Sequence, residues 1–112
     1  MADAAESIGI LQFALDAVVD QQQVIANNIS NQDTPNFQAD QVSFQSSLAQ
    51  ALQSGGSADV ETTPEGLAPG TDGNNVSLPT EMTLMQENNL ENQTVDNALS
   101  AQFSILSDAI TA

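Results

Sequence analysis

Basic residues are absent from this chain, whose 112 residues include no Lys, Arg or His against fifteen Asp and Glu, for a formal charge of −15 at pH 7. Without cationic side chains a protein cannot neutralise phosphate groups, so nucleic acid and anionic membrane surfaces are disfavoured as partners. Salt bridges between side chains of the same chain are excluded as well. The composition therefore removes several classes of function before any motif is considered.

Cysteine is also absent, which excludes disulfides, thiolate catalysis and thiolate metal sites. The serines have no His or Lys to activate them as nucleophiles. A calcium loop counted from Asp72 would have Val76 and Thr83 at ligand positions, so it fails as well. Glu87 and Glu91 share a helix face, which is typical of a solvated stripe. We predict no catalytic residue, cofactor or metal.

Long hydrophobic runs are scarce too. The longest apolar tract, residues 8–19, contains Gln12 and Asp16 and is too short to cross a bilayer. A cleavable secretory signal begins with basic residues, whereas this chain begins with the acidic sequence MADAAE. We expect a soluble protein, or one exported by a route that needs no ordinary signal peptide.

The first predicted element is a helix from Asp3 to about Asn31, with apolar residues at the alternating spacings of three and four that form a coiled-coil seam. The seam positions are Ile8, Leu11, Leu15, Val18, Gln22, Ile25 and Ile29. Gln22 is predicted to be the single polar layer. A second apolar row lies beside the seam, at Ile10, Phe13, Ala14, Ala17 and Val24. The apolar surface is therefore wider than one partner helix would cover.

A tight turn is predicted after this helix. Pro35 cannot lie inside a continuing helix, and Asn31 is one of the few residues besides glycine that tolerate the left-handed conformation closing many helices. Residues 34–37 suit a type II turn, in which Pro35 presets φ at the second position and Asn36 accepts a positive φ at the third. The turn is expected to direct Phe37 back against the helix.

The middle of the chain is predicted to be irregular. Residues 40–53 favour an extended start followed by a short helix. Residues 54–73 are rich in Gly, Pro, Thr and acidic residues and have little to bury, which is typical of a mobile loop. Val60 and Leu67 are the only small apolar anchors that we expect there.

A second long helix is predicted from an N-cap at Ser77 to about Thr111, with Pro79 in its first turn and Glu81 near the positive end of its dipole. Its heptad positions are apolar at both ends and polar in the middle, with Leu90 and Val95 to the sides. These positions are Leu78, Met82, Met85, Asn89, Asn92, Asp96, Leu99, Phe103, Leu106 and Ile110. Because such a helix is marginal alone, packing must stabilise it.

The predicted fold class is all-α, with two long terminal helices that form an antiparallel coiled-coil hairpin around an irregular middle segment. We divide the chain into an N-terminal helix (1–31), a turn, short helix and flexible acidic loop (32–76) and a C-terminal helix (77–112). Both long helices carry apolar residues on more than one face, so the hairpin is expected to pack in a helical assembly of subunits. A self-contained small bundle is the alternative.

Two stretches resemble bacterial flagellar rod and hook proteins. Residues 27–39, NNISNQDTPNFQA, resemble the signature N-I-A-N-x-x-T-P-G-Y-x-A that follows the N-terminal axial helix of that family, with Asn36 in place of its usual Gly. Residues 72–78, DGNNVSL, and ENNL, ALS and Phe103 beyond them resemble the C-terminal region of its proximal-rod members. The residues that carry the turn signature are Asn28, Asn31, Thr34, Pro35, Asn36 and Phe37.

The resemblance implies a structural, non-enzymatic subunit of the proximal rod in the flagellar basal body, which crosses the periplasm. It implies a homo-oligomer whose terminal helices pack around an export channel, with other rod proteins and the export apparatus or basal-body ring as partners. Family members are exported unfolded without a cleavable signal peptide. Phe44 and Leu48 also fit the F-x-x-x-apolar pattern presented to the export gate. Packing of an i, i+4 pair in a short helix is the favoured explanation, and the two roles are compatible at different times.

The predicted assembly interface is Ile8, Leu11, Leu15, Val18, Ile25, Ile29, Met82, Met85, Leu99, Phe103, Leu106 and Ile110. Packing copies of so acidic a chain sets like charges side by side, and each close pair costs about 1 kcal/mol in a water-like dielectric. We therefore expect assembly to need either acidic pH, which protonates carboxylates, or high salt, which screens them. There are two alternative functions. One is another axial protein of the family, such as a second kind of rod protein or a short extracellular filament subunit, and the other is an acidic helical module that binds a basic partner.

Overall fold

The structure, a computed structural model, describes residues 4–55 and 60–111. In this part of the chain there are three helices and two short strands: α1 Ala4–Ser30, β1 Asp40–Val42, α2 Phe44–Gln53, β2 Thr62–Pro64 and α3 Leu78–Thr111. The molecule measures 64 × 24 × 14 Å. Each helix within the described ranges is too short or too polar to be a bilayer-spanning segment.

The long helices confirm the main sequence predictions. At 1.5 Å per residue α1 is about 40 Å long and α3 about 50 Å. The extended start and short helix predicted for residues 40–53 are confirmed by β1 and α2. The predicted helix start at Asp3, and residues 56–59 of the predicted loop, lie outside the described residues.

The apolar core lies where α1, α2 and α3 meet. Its buried members are Ala14 and Val18 of α1 and Val95 of α3, and half-buried side chains of all three helices pack around them: Leu15, Phe44, Leu48 and Leu99. Alanine on the buried face, at Ala14 and also at Ala17, allows the helix backbones to approach closely. The core is small, because only four aromatic residues, all Phe, are available to fill it.

A small two-stranded antiparallel sheet in the middle segment, which the all-α prediction lacks, adds to the mostly helical fold. Asp40 pairs with Pro64, Gln41 with Thr63 and Val42 with Thr62. The sequence places residues 62–64 in the flexible loop, because the tract around them is rich in Gly, Pro, Thr and acidic residues and has little to bury. Pairing with β1, and not the local sequence pattern, makes them a strand.

The end of α1 differs from its prediction in one respect. The Asn31 amide donates to both Asn27 O and Asn28 O at 3.2 Å, and Gln32 N donates to Ile29 O at 3.2 Å. The helix thus ends by tightening to shorter-range hydrogen bonds. Asn36, with φ of 64°, is the only non-glycine residue in the described ranges with positive φ, so the left-handed conformation predicted for Asn31 is wrong.

The turn and the helix caps follow their predictions. Phe37 N donates to Thr34 O at 3.3 Å, and together with the positive φ of Asn36 this confirms the type II turn. At the start of α3, Ser77 Oγ accepts from Thr80 N at 3.4 Å, which confirms the N-cap. Ser43 Oγ accepts from Ser46 N at 3.4 Å and caps α2 in the same way.

Some seam positions are shifted by one residue on both long helices, while others, such as Val18 and Ile25, are buried as predicted. On α1 the polar residue that is buried is Gln21, whereas Gln22, the predicted polar layer, is exposed. On α3 the buried positions are Glu81, Asn88 and Val95. The neighbouring residues that the heptad prediction placed in the seam are all exposed: Met82, Asn89 and Asp96.

The shift on α3 has a physical reason. The hydropathy pattern favoured Met82 and set Val95 to the side, because polar Glu81 and Asn88 hid the buried seven-residue spacing. Burial of a polar side chain costs little when its donors find partners. The partners of Asn88 are Val18 O and Gln21 Oε1 on α1, in a part of the chain that a local pattern cannot include.

Candidate assembly interface

A buried polar layer joins α3 to α1 and to β1. Asn88 Nδ2 donates to Val18 O at 2.8 Å and to Gln21 Oε1 at 2.9 Å. Gln21 Nε2 in turn donates to Val42 O at 3.1 Å. Because these amides bond in series and Asn88 is only 1% exposed, the layer sets the position of α3 along α1 and connects both to the small sheet.

The turn of residues 34–37 is bound by the loop that precedes α3. Asn74 Nδ2 donates to Asn31 O at 2.8 Å and to Thr34 O at 2.7 Å, which satisfies carbonyl groups at the end of α1. Asn36 N donates to Asp72 O at 3.0 Å on the same side. The family turn motif is thus held by contacts from about forty residues away in sequence.

Asn75 binds the chain just beyond that turn. Its Oδ1 accepts from Ala39 N at 2.6 Å, its Nδ2 donates to Leu67 O at 3.0 Å, and its backbone N donates to Phe37 O at 3.2 Å. Phe37 itself is half-buried. One buried side chain therefore links the segments before β1 and after β2.

Gly73 lies directly against the turn. Its φ is +81°, and a Cβ built there would overlap the side-chain amide of Asn36. Gly73 O also accepts from Gln38 Nε2 at 2.7 Å. Both the backbone conformation and the close approach require glycine at this position.

Asn28, near the end of α1, holds the start of β1. Its Nδ2 donates to Asp40 O at 2.7 Å and its Oδ1 accepts from Asp40 N at 3.2 Å. This pair of bonds copies the pattern of a strand neighbour, and Asn28 is only 1% exposed. The side chain therefore fixes the sheet against the helix.

Acidic side chains meet beside Asn28. Glu81 in the first turn of α3 is fully buried, Glu65 follows β2, and Asp40 lies in β1. Burial raises the pKa of Glu65 to about 8, with further contributions from the hydrogen bond to Glu81, the charge of Glu81 and the charge of Asp40. Glu65 thus remains largely protonated at neutral pH.

Glu91 departs from the solvated stripe predicted for Glu87 and Glu91. Glu87 is exposed, but Glu91 is half-buried, and its Oε2 is buried without a hydrogen-bond partner among the described residues. Burial raises the pKa of Glu91, and the nearby charge of Glu87 raises it further. Partial burial in the lining of an apolar groove therefore favours the uncharged acid at Glu91.

That groove runs between the three helices and has a volume of about 300 Å³. Its lining residues include Leu11, Phe44, Leu48 and Leu90, and also Glu91. The Phe44 and Leu48 side chains, predicted as a possible export motif, also pack against the apolar core. Their packing in the folded chain supports the i, i+4 explanation.

Large apolar side chains exposed to solvent are concentrated on the last turns of α3. Phe103 is 51% exposed, Ile105 62%, Leu106 38% and Ile110 75%. Every residue from 103 to 111 is exposed. Such a cluster on a water-soluble surface marks a site of contact with another molecule.

The predicted interface residues fall into three groups in the structure. Val18 and Ile25 are buried; Ile8, Leu11, Leu15, Ile29, Met85 and Leu99 are half-buried; Met82, Phe103, Leu106 and Ile110 are exposed. Leu15, Val18 and Leu99 are brought together in the core of the single chain. The exposed group is not brought into that core.

Sequence reasoning missed most of the polar residues that hold this architecture: Gln21, Glu65, Asn74, Asn75, Glu81 and Asn88. The seven-residue spacing of Glu81, Asn88 and Val95 was the available signal, although hydropathy concealed it. Among the described residues, no group of three or more Asp or Glu is arranged to hold a metal ion.

Comparisons with known proteins identify relatives over most of the chain. A family model described as flagella basal body rod protein matches residues 11–38, which include much of α1 and the turn. The flagellar basal body rod protein FlgB of Bacillus subtilis (strain 168) is 32% identical over 116 residues, spanning 90% of each chain. The FlgB proteins of Escherichia coli (strain K12) and Shigella flexneri are each 32% identical over 114 residues, spanning 81% of this chain and 83% of theirs.

Proposed function

We propose, from the premise that this chain belongs to the FlgB family of flagellar basal body rod proteins, that it self-assembles into the rod through its two terminal helices. The chain is a structural, non-enzymatic component of the flagellar basal body and acts there with other basal-body components. The manner of assembly, its contacts and its conditions are our proposal.

The terminal helices are proposed to pair as an antiparallel coiled-coil hairpin. Val95 of α3 packs with Ala14 of α1, and Asn88 of α3 bonds to Gln21 of α1. A later residue of α3 thus contacts an earlier residue of α1, so the two helices run antiparallel. The seven-residue spacing of the buried positions on α3 supports coiled-coil packing. The polar layer at Asn88 would set the register of the pair.

The exposed apolar end of α3 carries the assembly proposal. At 1.5 Å per residue α3 continues about 24 Å beyond Val95, whereas α1 extends only about 15 Å from Ala14 back to Ala4. The last turns of α3, with Leu106 and Ile110, therefore reach past the described part of α1. A neighbouring subunit would cover these side chains in the rod.

The remaining contacts are proposed from the same premise. Copies would pack helically around an export channel in the periplasmic rod, with other rod proteins and the export apparatus or basal-body ring as neighbours. Exposed Met82 and the half-buried seam residues would add to the interface. Phe44 and Leu48 would serve as an export signal only in the unfolded chain, because the fold packs both against the core.

Introducing a charge at the exposed apolar side chains tests the proposal directly. Leu106→Asp and Ile110→Asp place a carboxylate on the exposed end, and Ser104→Asp adds the same charge to an exposed polar position of the same helix. Polymer formation is measured by sedimentation velocity and negative-stain microscopy, and folding by circular dichroism. We expect helical polymers from the parent chain and Ser104→Asp, and folded monomers from the other two variants. Rods built by both Leu106→Asp and Ile110→Asp would refute the interface.

The conditions of assembly are proposed to be acidic or highly saline, because the chain carries fifteen acidic residues and no basic side chain. Self-association measured from pH 2 to 8, at low and at high salt, separates the two causes. Assembly near pH 4 at low salt supports protonation, whereas assembly at pH 7 only in high salt supports screening. Tightest assembly at pH 7 in low salt contradicts both.

A further inference from the structure

The carboxyl groups of Glu65 and Glu81 meet in the interior. The Glu81 side chain is 0% exposed, and neither of its oxygens accepts a hydrogen bond from an amide, hydroxyl or backbone donor in the described residues. Glu65 Oε1 is likewise buried without such a donor, and Glu65 Oε2 accepts only a long hydrogen bond from Asn28 Nδ2, at 3.5 Å. Ordinary donors thus leave three of the four carboxyl oxygens without a partner.

The surroundings offer no positive charge to compensate. Asp40 of β1 adds a further carboxylate, α1 contributes the neutral amide of Asn28, and α3 contributes Glu81 itself. The sequence contains no Lys, Arg or His that could approach from elsewhere. Two neighbouring carboxylates without a cation cannot both stay ionised in a buried site at low cost.

A shared proton resolves this arrangement. Ionised carboxylates only accept hydrogen bonds, so the hydrogen bond between Glu65 and Glu81 forms only when one of them is protonated. We propose that Glu65 and Glu81 share one proton and that this carboxyl pair is a pH-sensitive lock, which holds the segment after β2 against the first turn of α3. The lock is closed in acid and opens in alkali.

The lock acts on a defined part of the fold. Glu65 N donates to Ala39 O at 2.9 Å, and so Glu65 also ties the chain after β2 to the chain before β1. Ionisation of both carboxyls would push this segment away from α3 while the apolar core, at Val18 and Val95, stays packed. The opening is therefore local, and it occurs in the single chain independently of any assembly.

The direction of the pH effect follows from proton linkage. The pKa of Glu65 is raised by burial, by the hydrogen bond to Glu81 and by neighbouring charge, from 4.5 to about 8. The folded chain keeps a proton that the unfolded chain releases above its ordinary pKa. The stabilisation is thus complete below about pH 4.5, declines as pH rises and is lost above about pH 8.

The first test is a titration of the intact protein at low concentration. Carboxyl carbon chemical shifts recorded by NMR from pH 3 to 10 should show Glu65 titrating near pH 8. A Glu65 carboxyl that titrates close to pH 4.5 overturns the proposal. This measurement needs no variant and does not depend on rod formation.

The second test compares Glu65→Gln with Glu61→Gln, a matched control at an exposed carboxylate of the same segment. Hydrogen-exchange protection of the residue 65 amide, corrected for intrinsic rate, should fall about tenfold from pH 7 to pH 9 in the parent and in Glu61→Gln. The fall is limited to about tenfold because the closed state itself loses the proton near pH 8, so only the first of the two pH units destabilises it. It should stay constant in Glu65→Gln, whose amide donates to Glu81 without a proton. A fall that persists in Glu65→Gln overturns the proposal.

A metal ion could occupy the pair in place of the proton. Calcium or magnesium added at pH 9 should leave the protection of the parent unchanged. Restoration of that protection by either ion would overturn the proton lock and identify a cation site. If Glu65→Gln fails to fold, the carboxyl titration of the parent still decides between the outcomes.

Discussion

The two ends of this elongated molecule are built on opposite principles. At one end, called here the turn end (residues 28–42 and 65–81), buried Asn28, Asn74 and Asn75 donate to and accept from backbone groups of distant segments. At the other, called the free end (residues 103–111), every residue is exposed and four large apolar side chains face solvent. The buried amides of the turn end find their partners within the chain, whereas the apolar side chains of the free end find no cover there.

This difference indicates that the two ends have different roles, one in folding of the single chain and the other in contact with a neighbouring subunit. Buried amides with specific partners give the turn end one defined conformation, because each would lose free energy in any other arrangement. Apolar side chains in water carry no such specification until a partner covers them. We infer that the turn end is set before assembly and that the free end is completed by a neighbouring subunit.

The largest effect on folding is expected from Asn74→Ala at the turn end. The change removes the bonds to Asn31 O, Thr34 O and Val76 N and leaves a cavity, so we expect a loss of about 2–4 kcal/mol in the free energy of unfolding. Urea denaturation at pH 7 in low salt measures it. Asn97→Ala, at an exposed position of α3, is the control and should change stability by less than about 0.5 kcal/mol. An equally small change for Asn74→Ala would contradict the inference that buried amides stabilise the turn end.

A pair of glycines sharpens the same comparison. Gly73 and Gly66 both have positive φ, but a Cβ at Gly73 meets Asn36 whereas one at Gly66 meets nothing within 4 Å. Gly66→Ala should cost about 1–2 kcal/mol for the backbone conformation alone. Gly73→Ala should cost about 1 kcal/mol more, because the Asn36 side chain must move. Equal thermal midpoints for the two variants would show that the contact between Gly73 and Asn36 is unimportant.

The cap at the beginning of α3 tests how far the turn end extends. Ser77→Ala removes the acceptor for Thr80 N and should lower stability by about 1 kcal/mol. Ser100→Ala, in the exposed middle of the helix, should have almost no effect or be slightly stabilising, because alanine favours helices. Both are compared by urea denaturation. A loss at Ser100 as large as that at Ser77 would argue against a special role for the cap.

The smallest effect on folding is expected at the free end. Ile110 is 75% exposed, so Ile110→Ala should change the free energy of unfolding of the monomer by less than about 0.5 kcal/mol. The same variant should weaken assembly, since we propose that a neighbouring subunit covers this side chain in the rod. Chemical denaturation of dilute protein measures the first effect and sedimentation the second. A monomer destabilised by more than about 1 kcal/mol would mean that Ile110 already packs within its own chain.

Local signals predicted the helices and the turn well. Pro35 and Asn36 specify the turn through their own backbone preferences, and Ser77 caps α3 through its own hydroxyl group. These features need no information from distant residues. The matching turn signature also led to the family, which the relatives confirm.

The failures share a different origin. The seam was placed one residue away at Gln22 and Met82, the strand Thr62–Pro64 was assigned to a loop, and Asn31 was expected to be left-handed. For the seam and the strand, a partner elsewhere in the chain, such as β1 for the strand, determines the outcome. The end of α1 is set instead by its own shorter-range hydrogen bonds. Hydropathy counts a polar residue as exposed, although a distant donor or acceptor can make its burial favourable.

Composition and local pattern were thus enough to establish an acidic, cation-free chain with two long helices, a type II turn and apolar surface in excess of one interface. The pairing of Asn88 with Gln21, the hold of Asn74 on the turn and the meeting of Glu65 with Glu81 arose only on folding. Backbone preferences act over a few residues and can therefore be predicted from neighbouring positions in the sequence. Hydrogen bonds and shared protons between buried groups depend on which segments come together in space.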